Sequence, residues 1–404
     1  MNLKGCWGVN MSANNILEAK SKYAVFNSEI KSIADILVEK GEFVDLVGHE
    51  KPKAIILGGQ SGSGKRSIVS VVESEFMDKN GVFVADPDRY RVHHPSYNEI
   101  QEKFGADSSQ ITMSFSIKLC DELAKRAIDN RFNIVFDNTS SNFRHFQLRK
   151  EQLGKDYDVS FYVMATEYSF SNMRVSLRYE EGGGLKSGRY VPKDIQENSF
   201  NGISKTLKDV EDKNLANRIV VFDKYANTIY DSQDGKNGGL TAHEVFTIQR
   251  SRDHISAETG KTKLSLDEIN DLRQGWQKVQ FFMSARNAST NEPNMVSIVN
   301  QAIDDLAKKG INVAQIQQPQ IGLTYSGKIV AQNHNSILQC RQDGAAFEHK
   351  VENVKGLYSQ ELGNRLQIFY GADGKGDVIK RETEKGIEKQ KDLNLSNSND
   401  FSKG

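Results

Sequence analysis

The chain has 404 residues, enough to bury a full core and to carry two or three domains. Its 53 basic and 53 acidic side chains balance, which leaves no footprint for nucleic acid or an anionic membrane. Cys6, Cys120 and Cys340 lie too far apart for a disulfide framework or a metal cluster, and no secretory or membrane-spanning apolar run is present, so a reducing cytoplasm is the expected location.

Residues 1–50 are expected to form a helical segment, because Ile16, Leu17, Tyr23, Phe26, Ile30, Ile33, Ile36 and Leu37 recur at three- and four-residue steps. From 51 to 232 the pattern alternates between strands, at 54–57, 82–84, 134–136, 159–163 and 219–222, and helices, notably 115–128 and 195–210. Such alternation implies an α/β layer fold: a parallel sheet flanked by helices, with its ligand at the strands' carboxyl ends. The polar, glycine-rich stretch 231–239 marks a boundary. Beyond it, 240–315 reads as a helical region, 321–380 as a small β-rich module and 381–404 as a solvated, disordered tail.

The first strand runs into Gly59-Gln60-Ser61-Gly62-Ser63-Gly64-Lys65, followed by Arg66, Ser67 and a helical pattern. Glycines at this spacing let successive N–H groups face an anion, the helix N-terminus adds its positive end, and Lys65 reaches the β- and γ-phosphates of a nucleotide. The pattern calls for Ser or Thr after the lysine as a magnesium ligand. Here Arg66 stands in that place, with Ser67 one position late.

Asp86 and Asp88 follow the second strand. A carboxylate there can act as general base toward a hydroxyl, help position Mg²⁺, or simply cap a turn. His93 and His94 stand next to them without further ligands at metal spacing, which excludes a histidine metal site. Asp137 closes the third strand ahead of Asn138 and Thr139, where it can hold magnesium, grip an acceptor or cap a helix. Arg178-Tyr179-Glu180-Glu181 and Arg189 flank a glycine-rich bridge that could fold over a nucleotide and bring guanidinium groups to the γ-phosphoryl oxygens; a solvated helix face is the plainer alternative.

Taken in order, these clusters over residues 53–232 resemble the zeta toxin family of P-loop kinases. The resemblance rests on the loop at 59–65, the Asp-x-Asp run ending in His94-Pro95, Arg178-Tyr179-Glu180-Glu181, Arg189 ahead of Val191-Pro192-Lys193-Asp194, and Ile229-Tyr230-Asp231-Ser232. It implies a toxin that transfers the γ-phosphate of ATP or GTP, with Mg²⁺, to the 3′-hydroxyl of UDP-N-acetylglucosamine. A helical antitoxin commonly restrains such enzymes. By the same resemblance Lys65 is the phosphate-loop lysine, Asp88 the base, and Arg178 and Arg189 the clamp on the transferring group. Asp137, with Thr139 and Asp86, would engage substrate, and Ser67 and Asp137 would engage the metal. The family's Glu-Gly-Thr run is Asp137-Asn138-Thr139 here, a carboxylate one methylene shorter.

Two alternatives follow from the departures at Arg66 and Asp137: a degenerate nucleotide-binding interaction protein, or a kinase with another hydroxyl acceptor. A nucleic-acid repair kinase gains no support from the balanced charge. The N-terminal helices are expected either to inhibit the site in cis or to pack as a layer on the sheet. The module at 321–380 is similar to KfrB-like domains through Tyr325-Ser326-Gly327-Lys328-Ile329-Val330 and the run 363–370, which implies a plasmid or mobile-element origin.

Overall fold

The computed structural model describes residues 13–77, 81–184, 191–235, 238–286, 293–357 and 361–383. Contacts divide the chain into two compact units, 1–263 and 264–404.

The first unit is built on β1 (Lys53–Gly58), β2 (Phe83–Ala85), β3 (Ile134–Phe136), β4 (Asp158–Met164), β5 (Arg218–Phe222) and β6 (Thr228–Asp231). They form one sheet in the order β2-β3-β1-β4-β5-β6, in which β6 alone runs antiparallel to its neighbour. The five parallel strands fall within one residue of the expected positions, because each is a short apolar run buried on both faces. β1 shows how the two faces are filled. Ala54 and Ile56 point into a core with Phe136, Phe161, Leu119 and Leu123 of α5 (Ser108–Asp129). Ile55 and Leu57 point the other way, onto Ile68, Val72 and Phe76 of α3 (Lys65–Phe76).

α5 begins seven residues before the predicted start at 115, because Ser108, Ile111 and Thr112 are buried and extend the packed face. The N-terminal α1 (Ala13–Lys22) and α2 (Asn27–Glu39) pack against α5, and Ile30 and Ala34 of α2 join the same core as β1. His94 belongs to this joint. It is buried, with Nε2 3.0 Å from the carbonyl oxygen of Tyr23 and Nδ1 accepting from the Ser96 N–H at 3.1 Å. Burial holds its imidazole below the usual histidine range. The thiol of Cys120 is likewise buried and pushed up by desolvation.

The stretch expected as a single helical region at 240–315 is shared between the two units. α9 (Ala242–Arg250) starts with a capping box between Thr241 and Glu244 and drives Ala242 and Phe246 into the core of the first unit. α10 (Leu266–Ala285) and α11 (Pro293–Lys308) belong to the second unit, with β7 (Ile316–Gln317), β8 (Thr324–Gln332), β9 (Ser336–Cys340), β10 (Ala346–Lys350), β11 (Val354–Lys355), β12 (Arg365–Tyr370) and β13 (Gly376–Glu382). These strands form a sheet in the order β11-β13-β12-β8-β9-β10-β7. Its core of Tyr325, Ile329, Phe347, Leu366 and Ile368 encloses a polar chain. Gln339 Nε2 donates to the carbonyls of Gly327 (3.3 Å) and Leu366 (2.9 Å), so its Oε1 must accept from His349 Nε2 at 3.0 Å. His349 Nδ1 then accepts from the Tyr370 hydroxyl at 2.9 Å.

Among the described residues no helix is long and apolar enough to cross a membrane.

Candidate active site

β1 ends in the loop 59–64, and α3 starts at Lys65. Gly62 (φ 78°) and Gly64 (φ 105°) take left-handed conformations that side chains other than glycine resist. Around these turns the loop is held by its backbone. The Gly59 N–H donates to the Thr139 carbonyl at 3.0 Å, and the Thr166 hydroxyl donates to the Ser63 carbonyl at 2.7 Å. Gln60, predicted as a nucleotide contact, is buried and donates through Nε2 to the Thr166 carbonyl at 2.9 Å, so it anchors the loop from behind. Ser63 Oγ is also buried. Lys65 Nζ lies 2.8 Å from the Gly59 carbonyl and so arches over the loop. No side chain caps α3, whereas Asn142, Thr241 and Ser265 cap the helices that follow them. The start of α3 therefore presents backbone donors and a lysine to an anion.

The three predicted aspartates gather beside this loop. Asp137 leaves β3 with its N–H on the Ala85 carbonyl (3.1 Å), which sets it next to the end of β2. Its carboxyl is pushed above the ordinary range, first by burial, and then by the charges of Asp86 and Asp88. Lys65 and Arg66 oppose the rise. Two sequence clusters, some fifty and seventy residues before it, thus converge on one carboxylate. Asp86 caps the 3-10 turn Pro87–His93 by accepting from the Asp88 N–H at 2.9 Å, the capping role foreseen for it as an alternative. Asp88 pairs with Arg91 at 2.9 Å, and Arg91 is itself fixed by the Ser109 carbonyl and the Thr112 hydroxyl (3.1 Å) on α5. The ion pair holds the Asp88 carboxylate in a fixed direction.

Arg178 sits exposed on α7 (Tyr168–Glu181), while Tyr179 and Glu180 beside it are buried, so the motif is only half a solvated face. Arg189 lies outside the described residues. One turn before Arg178, Arg174 was not singled out by sequence, yet it touches the loop: Nη1 donates to the Ser63 carbonyl at 3.2 Å and Nη2 to the Lys224 carbonyl at 3.3 Å. Its position four residues before Arg178 on the same helix face was the available signal. Lys224 also escaped notice. It follows β5 and makes a buried ion pair with Glu167, Nζ lying 2.9 and 3.1 Å from the two carboxylate oxygens. Arg252 stands 3.6 Å from the same carboxylate.

The donors suit magnesium in kind. Ser67 in the first turn of α3 and Asp137 at the end of β3 are hard oxygen ligands, and Mg²⁺ commonly takes one or two such groups besides phosphate and water. Arg66, exposed between Lys65 and Ser67, adds positive charge at the same place. Among the described residues no group of three or more His, Cys, Asp or Glu could hold a metal ion on its own.

Residues 41–234 match the family model described as Zeta toxin. The chain is 29% identical over 191 residues to toxin PezT of Streptococcus pneumoniae, covering 46% of this chain and 74% of that one. Toxin zeta of Enterococcus hirae is 25% identical over 213 residues, 52% of this chain and 72% of that one. The solved structure from the PezAT chromosomal toxin–antitoxin system of Streptococcus pneumoniae superposes with a TM-score of 0.52 at 23% identity, over 65% of this chain and 98% of that chain, and establishes the shared fold.

Proposed function

The chain carries a zeta toxin family domain at residues 41–234, and we propose that this domain transfers the γ-phosphate of ATP or GTP to a sugar hydroxyl of UDP-N-acetylglucosamine, acting as a toxin. The observation that carries the reading is the convergence of Lys65, Arg66, Asp86 and Asp88 on Asp137 beside the phosphate loop. A phosphate cradle alone binds nucleotide. A cradle with an oriented aspartate at its rim can also direct a hydroxyl at the γ-phosphorus.

In the reaction the acceptor oxygen forms a bond to the γ-phosphorus as the bond to the β,γ-bridging oxygen breaks. Asp88 takes the hydroxyl proton, and ADP leaves with the bridging oxygen. Arg91 fixes the direction of the Asp88 carboxylate. In a loose transition state the nucleophile gains little charge, so a base need only be in place to take its proton as the new bond forms. Lys65 and Arg178, with Arg189 by its place in the motif, spread positive charge over the equatorial oxygens. Asp137 and Thr139 would engage the acceptor. Mg²⁺, held through Ser67 and Asp137, would neutralise charge on the β- and γ-phosphates. The relatives' names as toxins, and the toxin–antitoxin system from which the similar fold comes, support an antitoxin as partner.

Mass spectrometry of UDP-N-acetylglucosamine incubated with ATP, Mg²⁺ and the protein tests the reading. One added phosphate, absent with Lys65→Ala, is expected. Arg66 favours a second reading, a nucleotide-binding protein with decayed catalysis, since a guanidinium beside the metal repels it. Product that appears only with Arg66→Thr would establish that second reading. Silence in both would overturn the acceptor.

A further inference from the structure

A nucleoside triphosphate seated on the loop must carry its sugar and base out past the rim, and the rim here has a definite neighbour. A Cβ placed on Gly64 would lie 3.2 Å from Arg174 Nη1 and 3.7 Å from the Lys224 carbonyl oxygen. The turn between β5 and β6 therefore lies against the end of the phosphate loop, and Arg174 clamps the two together through the Ser63 and Lys224 carbonyls. The next residue, Tyr225, is 48% exposed. The large aromatics exposed among the described residues of the first unit are Phe26 and Tyr225, and Tyr225 adjoins the loop.

This turn is built to hold the tyrosine's backbone still. Asp223 Oδ1 accepts from the N–H groups of Tyr225 (2.8 Å) and Asn227 (2.9 Å), and Oδ2 accepts from Asn227 Nδ2 at 3.0 Å. The backbone closes with Ala226 N–H on the Asp223 carbonyl (3.0 Å) and Asp223 N–H on the Asn227 carbonyl (2.9 Å). Ala226 is forced to φ 65°, a conformation disfavoured for a residue with a Cβ. Before the tyrosine, Lys224 is fixed by its buried pair with Glu167, and its ammonium stands 5.3 Å from the Tyr225 ring centroid. A tyrosine has only two side-chain torsions to order, and its ring offers a flat π-face to another flat π-system.

We infer that Tyr225 is the platform on which the nucleobase of the phosphate donor stacks, with Arg174 setting the distance from platform to phosphate loop. The inference rests on the nucleotide-binding reading above and adds to it where the base sits. Stacking on an aromatic tolerates any base, which fits a site open to both ATP and GTP.

The test is calorimetric titration of the full chain with ATP and, separately, with inorganic tripolyphosphate, which has phosphates and no base. Tyr225→Ala should weaken ATP by about 5- to 150-fold and leave tripolyphosphate unchanged, while Tyr225→Phe keeps ATP affinity. Unchanged ATP affinity in Tyr225→Ala overturns the platform, as does an equal loss for both ligands. If the unaltered chain binds neither ligand, or if Lys65→Ala leaves tripolyphosphate binding intact, the phosphate-loop reading fails first and the platform with it.

Discussion

Glu167 and Lys224, from the ends of β4 and β5, form an ion pair with both side chains sealed from solvent, directly behind the phosphate loop. Burial pushes the Glu167 carboxyl up, and Lys224 pulls it back. A pair of this kind is worth little as a pair, but its halves are expensive alone. Lys224→Met is expected to destabilise the chain by about 3–5 kcal/mol, and Glu167→Gln added to it should recover most of that. Denaturant midpoints of the two variants check this; a single variant as stable as the parent would show that water reaches the site.

Gly62 has a second constraint besides its left-handed φ, since a Cβ there would run into the Ser171 carbonyl oxygen of α7. Gly62→Ala should abolish nucleotide binding, because the loop must move away from α7 to admit the methyl group. Titration with ATP reads the loss. Full binding by this variant would mean that the loop has slack the geometry does not indicate.

Asp88→Asn keeps the size and loses the proton acceptor. With Asp88 as base, kcat should fall by about 10²- to 10⁴-fold while ATP affinity is retained. A loss of affinity with kcat intact would assign Asp88 to binding instead.

His349, buried between Gln339 and Tyr370, has its pKa lowered to about 4 by desolvation. The unfolded chain takes up this proton near pH 6.5, so between about pH 6.5 and 4 the unfolded state binds more protons than the folded one. The stability from the neutral imidazole is present above that window and is lost as pH falls through it, to a total of about 3 kcal/mol. Calorimetric melting at pH 7 and 4.5 should show a larger drop for the parent than for His349→Gln. Equal drops would place the acid sensitivity elsewhere.

Deleting residues 1–47 separates the two roles expected of the N-terminal helices. Ile30 and Ala34 lie in the same core as β1, and the described contacts of α1 and α2 are with α4 (Tyr97–Phe104), α5 and the turn carrying His94. The deletion should expose that core and yield insoluble protein. A soluble fragment with higher kinase activity would instead establish inhibition in cis.

Local pattern alone determined the five parallel strands of the first unit and the phosphate loop, because a parallel strand buried on both faces is a contiguous apolar run and the loop is a contiguous set of glycines ending in lysine. It also determined that Asp88 and Asp137 would stand at strand ends. Tertiary structure alone decided which of these residues meet. The convergence on Asp137, the Asp88–Arg91 pair held from α5, and the use of Gln60 as an anchor depend on strand order, which places β3 beside β1 and β2 beside β3. Lys224 and Glu167 carry no local signature, and Arg174 only its spacing from Arg178, since their partners lie some 50 to 110 residues away. The division of 240–315 between two units was equally invisible, because an amphipathic helix announces that it has an apolar face and not which core will bury it.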